Sequence, residues 1–146
     1  MRLGYAASVN RADFKKLALT RLGDAQALLR RRRFSGAYYI AGYAVECALK
    51  ACIAKKTRRY DFPPDSDYVR KCYTHSIEQL LGPSGLDAAV KSRRERDSSF
   101  DRNWSLVNSW SSKSRYVSHS AKEAKEILAA ITDSASGVLE CIRQYW

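Results

Sequence analysis

The chain is expected to be all-α, an up-and-down bundle of four to five helices. Three observations predict this. Apolar residues recur at helical spacing along most of the 146 residues, and no useful length alternates as a half-buried strand would. The stretch Ser35 to Lys56, SGAYYIAGYAVECALKACIAKK, is apolar on nearly every side, and a soluble helix of that kind sits in the middle of a bundle. A capping box, Ser120-Ala-Lys-Glu123, opens a final apolar stripe.

The first helix is predicted from about Asn10 to Arg32. Phe14, Leu17, Ala18, Leu22, Ala25, Leu28 and Leu29 give it one apolar face. Arg30 to Arg33 suit the negative end of its dipole. Ser35 is expected to cap the central helix, with Phe34 stapled onto Tyr39. The short connection makes the two helices antiparallel neighbours. A loop is predicted from Tyr60 to about Thr74, because Pro63-Pro64 disfavours helix. A short helix, His75 to Leu81, is stopped by Gly82-Pro83. Ser84 caps a helix over roughly Gly85 to Ser98, whose second half is a solvated basic face. Trp104, Val107 and Trp110 place a short, core-facing helix inside the aromatic segment Phe100 to Tyr116. From Ser120 onward, Ala124, Ile127, Leu128, Ile131, Ala135, Val138 and Ile142 form one stripe to the C-terminus, interrupted only by Gly137.

One face of the central helix is polar. Tyr39, Tyr43, Glu46 and Lys50 fall at i, i+4, i+7 and i+11. Glu46 precedes Lys50 by four residues, the favourable order for a helix ion pair. The pair closes a seam of the core, or the stripe orients a site or a partner helix. A membrane span is rejected. Glu46 and Lys50 near a bilayer centre would each cost roughly 2.5–3.5 kcal/mol.

Length and composition bound the rest. One domain over 1–146, with its core at about 10–145, buries enough surface to fold without disulfide or metal. Cys47, Cys52, Cys72 and Cys141 form no Cys-x-x-Cys pair and are expected as free thiols in a reducing cytoplasm. No metal ligand set and no cofactor motif is visible. The N-terminus lacks an apolar signal core, which points to a cytoplasmic protein. Lys and Arg number 26 against 15 Asp and Glu, a net charge of +11. Basic runs lie at Arg30–Arg33, Lys55–Arg59, Arg70–Lys71 and Lys91–Arg96. That balance attracts phosphates and makes binding salt-dependent, although helix ends and solvated faces also collect cations.

With the helices placed, the chain resembles the HEPN family (higher eukaryote and prokaryote nucleotide-binding domains). The resemblance rests on Phe34-Ser-Gly-Ala-Tyr-Tyr, on Ala41-Gly-Tyr-Ala-Val-Glu-Cys-Ala-Leu-Lys50-Ala, and on Tyr73-x-His75-Ser-Ile-x-x-Leu-Leu81. Trp110 and Ser114-Arg115-Tyr116 before a capped last helix complete it, over about residues 10 to 145. It implies a helical bundle, often a homodimer. It also implies one of two functions. Many members resemble metal-independent ribonucleases with an Arg-x4–6-His motif at a dimer interface. Others are binding modules, often beside a nucleotidyltransferase or an antitoxin partner in toxin-antitoxin or defence systems.

Arg115-Tyr-Val-Ser-His119 has the family position but three intervening residues, one short of the motif. Arg70-Lys-Cys-Tyr-Thr-His75 has the spacing but precedes an earlier helix. A ribonuclease would use Arg115 on the phosphate and His119 as acid or base. Glu46 would orient one of them. A binding module would present Tyr39, Tyr43, Glu46, Lys50 and Tyr116 to RNA, to a nucleotide or to a partner protein. The motif spacing favours RNA or nucleotide binding.

Overall fold

A computed structural model describes residues 9–57, 62 and 65–146. Eight α-helices are found among them: α1 Arg11–Arg30, α2 Phe34–Lys56, α3 Ser66–Cys72, α4 Ile77–Ser84, α5 Asp87–Arg96, α6 Ser98–Asn108, α7 Ala121–Thr132 and α8 Val138–Arg143. A 3₁₀ turn, Ser112–Tyr116, joins α6 to α7. No strand occurs among the described residues. The all-α class agrees with the sequence. Eight helices stand where four to five were expected: the predicted last helix breaks in two, and part of the predicted loop is helical. The expectations for residues 1–8, Arg58 to Asp61 and Pro63-Pro64 lie outside the described residues.

Helix α2 is the axis of the molecule. Thirteen of its 23 residues are buried, and it touches α1, α4, α7, α8 and the 3₁₀ turn. Small residues make this possible. Ala37, Ala41, Ala44, Ala48 and Ala51 are fully buried, so neighbouring helices approach its backbone closely. At Gly42 the approach is tightest: a Cβ there would lie 2.3 Å from Trp110 ring atoms. The Trp110 indole therefore packs over the α2 backbone. Trp104, Val107 and Trp110 all face the core, as their spacing predicts.

Helix α1 begins in a full capping box formed by Asn10 and Asp13. It runs along α2, and Arg31 to Arg33 make the turn between them. Arg32 takes a left-handed conformation, φ 59°, where glycine is the usual residue. Ser35 does not cap α2. It lies in the first turn, and its Oγ instead accepts the His119 N–H at 2.8 Å. Phe34, the expected staple, is the first residue of α2. Its ring lies under the Arg32 guanidinium.

The predicted loop up to Thr74 contains α3. Asp65 caps it by accepting the Tyr68 N–H. Gly82-Pro83 does not stop α4. Proline in a last turn removes only one hydrogen bond, and the helix ends at Gly85, φ 76°. Ser84 is therefore no cap. Its hydroxyl donates to the Leu81 carbonyl. The predicted last helix is two helices. Asp133 Oδ1 accepts the N–H groups of Ala135 and Ser136, which offers the backbone an alternative to the helical ladder. No helix among the described residues is long and apolar enough to cross a membrane.

Candidate nucleic-acid interface

The polar stripe of α2 divides between two ends. At one end Tyr39, half-buried, stacks on Trp110 with ring centroids 5.9 Å apart. It also meets Arg115, which the 3₁₀ turn carries to the surface. The Arg115 guanidinium lies over the Tyr116 ring, 4.9 Å from its centroid. Hydrogen bonding to Tyr116, and then to Tyr39, raises the Arg115 pKa further above its ordinary value. Arginine is charged at neutral pH in any case, so these contacts orient the guanidinium rather than charge it. Tyr116 is 78% exposed. A braced cation and an open aromatic ring thus share one surface.

Midway along the stripe Tyr43 is half-buried, and burial raises its pKa. Its neighbour Cys47 is pushed up to about 11, chiefly by burial.

At the other end Glu46 is 1% exposed. Its Oε1 accepts from Lys50 Nζ and from His75 Nδ1, both at 2.8 Å. The Glu46–Lys50 ion pair therefore forms as the spacing predicts, and His75 joins it. Glu46 Oε2 is buried and has no hydrogen-bond partner. His75 itself remains open, with its side chain 60% exposed. Glu46 does not bridge to Arg115, which is exposed.

His119 is placed differently. Its ring stacks face to face on Tyr38, centroids 3.7 Å apart and planes 12° apart. Nδ1 lies 2.6 Å from Glu123 Oε2. The hydrogen bond from His119 is the first cause that lowers the Glu123 pKa. An ionised carboxylate only accepts, so Nδ1 carries the proton. That leaves Nε2 as the free nitrogen, and it is buried without a partner. The side chain is 11% exposed. His119 therefore lies at N′ of α7, beside its N-terminus, with its ring turned into the protein.

Arg115 and His119 are thus four residues apart but differently disposed, one exposed and one packed. Sequence reasoning missed four partners. Tyr38 and Glu123 hold the His119 ring, and Ser35 holds its backbone. The fourth is His75, the partner of Glu46. The His119–Glu123 spacing of four was a legible signal. Glu46 and His75 are 29 residues apart, and nothing local announces their contact.

Among the described residues no group of three His, Cys, Asp or Glu side chains is placed to hold a metal ion. Cys47, Cys52, Cys72 and Cys141 are free thiols.

Fold and site together define a strongly basic helical bundle whose central helix shows a stripe of tyrosines and paired charges. A model of the HEPN domain matches residues 12–145, and the chain belongs to that family. Comparison with curated proteins and with solved structures gave no match.

Proposed function

We propose that the protein binds single-stranded RNA along the polar stripe of α2. The observation that carries this reading is the pairing of Arg115 with Tyr116. An exposed guanidinium oriented by tyrosine contacts meets a phosphate, and a ring 78% exposed offers a stacking platform beside it. Tyr39 and Tyr43 continue the aromatic surface along α2. The net charge of +11 supports the same reading through attraction of the phosphate backbone. Family membership adds nucleotide chemistry as the natural setting. The packed ring and dry Nε2 of His119 favour binding over proton transfer at this end.

Binding to a labelled single-stranded RNA, followed by fluorescence anisotropy over a salt series, tests the proposal. Arg115→Ala is expected to weaken binding and to lower the log–log salt slope by about 0.7. Tyr116→Ala is expected to cost about 1–3 kcal/mol of affinity with the slope unchanged. Affinity unaltered in both variants would overturn the reading.

A further inference from the structure

The turn between α1 and α2 is built by backbone alone. The Arg33 N–H donates to the Leu28 carbonyl at 2.8 Å, and the Arg32 N–H donates to the Leu29 carbonyl at 3.0 Å. These two bonds close a helix end whose next residue must be left-handed, and glycine takes that conformation without steric cost. Here the position holds Arg32, φ 59°, the one non-glycine residue with positive φ among the described residues. Nothing in the turn asks for a side chain there. Backbone strain of this kind collects where a side chain serves a ligand.

The Arg32 side chain is placed to do so. Its guanidinium lies over the Phe34 ring, 5.8 Å from the centroid. Contact with the ring engages the guanidinium as a cation and leaves N–H donors for another partner. Elsewhere Arg21, Arg70, Arg93, Arg94 and Arg143 each meet a carboxylate. Arg30, Arg31, Arg32 and Arg33 are exposed, and none of them pairs with a carboxylate among the described residues. Four neighbouring cations repel one another, and an anion from outside relieves that repulsion. The planar fork of an arginine matches two oxygens of a phosphate.

The turn adjoins the surface assigned to RNA. Ser35, in the first turn of α2, accepts the His119 N–H and so ties the start of α2 to the segment that carries Arg115. Tyr39 lies four residues on from Ser35, on the same face, and meets Arg115. From Phe34, under Arg32, to Tyr39 is about 8 Å along the helix at 1.5 Å per residue.

We propose that Arg32 is a phosphate-binding residue, and that the RNA path runs on from Arg115 past the first turn of α2 and over the α1–α2 turn. The inference rests on the RNA-binding reading and adds a second phosphate contact, on a residue whose backbone strain is offset only when ligand is bound.

The test sets binding against stability. Wild type, Arg32→Gly, Arg32→Lys, Arg115→Ala and the Arg32→Gly/Arg115→Ala double variant are titrated with labelled single-stranded RNA over a salt series. Urea midpoints are measured without RNA. Arg32→Gly is expected to bind about tenfold more weakly, with a log–log salt slope lower by about 0.7. Its midpoint should be no lower than that of wild type, because the turn's hydrogen bonds are backbone and glycine relieves the strain. Arg32→Lys keeps the charge and loses the fork, so it should hold the slope while losing part of the affinity. The double variant should lower the slope by about 1.4, as two separate phosphates require.

Unchanged affinity and slope in Arg32→Gly, with Arg115→Ala weakened, would overturn the proposal and spare the RNA-binding reading. A lowered midpoint in Arg32→Gly would also overturn it, since the side chain would then be holding the turn. A double variant no different in slope from Arg115→Ala would mean one shared phosphate and no extended path. No RNA binding by wild type would remove both readings.

Discussion

Gly42 shows how far a single atom governs this core. The Trp110 indole covers its Cα so closely that an added Cβ would sit 2.3 Å from three ring atoms. Trp110 is 3% exposed and has no room to retreat. Gly42→Ala is therefore expected to destabilise by about 3 kcal/mol or more, measured as a lowered urea midpoint. Because Tyr39 stacks on Trp110 and also contacts Arg115, the same substitution should loosen the Arg115 end of the stripe. An unchanged midpoint would mean that the indole does not lie over α2. At the same scale, the two histidines divide by environment. His119 is held by Tyr38 and Glu123 in a packed position, whereas His75 is held by one buried carboxylate and stays open.

At the scale of elements, the helices are set by local chemistry wherever that chemistry is strong. Asn10 and Ser120 each cap a helix; the Ser120 cap is the one its sequence announces, but the Glu123 carboxylate turns to His119 and the Ser120 hydroxyl rather than to the backbone. The break between α7 and α8 has two causes. Asp133 draws two following N–H groups to its side chain. Gly137 then lets the chain fold tightly, since a Cβ there would lie 2.3 Å from the Asp133 carbonyl oxygen. The contacting atoms are backbone and do not swing aside. Gly137→Ala is expected to destabilise by about 2 kcal/mol and to disturb α8, whose Val138, Leu139, Cys141 and Ile142 are buried. Thermal unfolding with circular dichroism checks this. The Asp-Ser-Ala-Ser-Gly run was a legible loop signal, but the apolar periodicity on either side of it conceals the break.

At the scale of the whole molecule, charge sets both partner and pH response. The chain carries an excess of 11 positive charges, and a few of its carboxylates each take several donors. Asp97 caps α6, accepts from Ser136 and Arg93, and ties α5 and α6 to the α7–α8 turn. Its pKa is lowered from 3.8, first by the Phe100 N–H. That of Glu123 is lowered from 4.5, first by His119. For a carboxyl depressed in the folded state, the stabilisation is complete above the unfolded value. It is lost as pH falls through the folded one. Stability is therefore expected to hold from pH 7 to about 5 and to fall steadily below pH 4.5. Asp97→Asn should flatten that decline, as read from urea midpoints at each pH.

The sequence by itself determined the helical class, the central place of α2, the inward face made by Trp104, Val107 and Trp110, and the Glu46–Lys50 pair. These follow from spacing along one helix, and spacing is a property of the chain alone. Only the tertiary structure decided what the stripe faces. It buried Glu46, brought His75 to it from 29 residues away, turned the His119 ring onto Tyr38, and left Arg115 outside. It also gave Ser35 to His119 instead of to its own helix. A side chain able to cap its own helix can equally satisfy a neighbour, and the choice rests on which polar groups packing brings within reach and leaves without water.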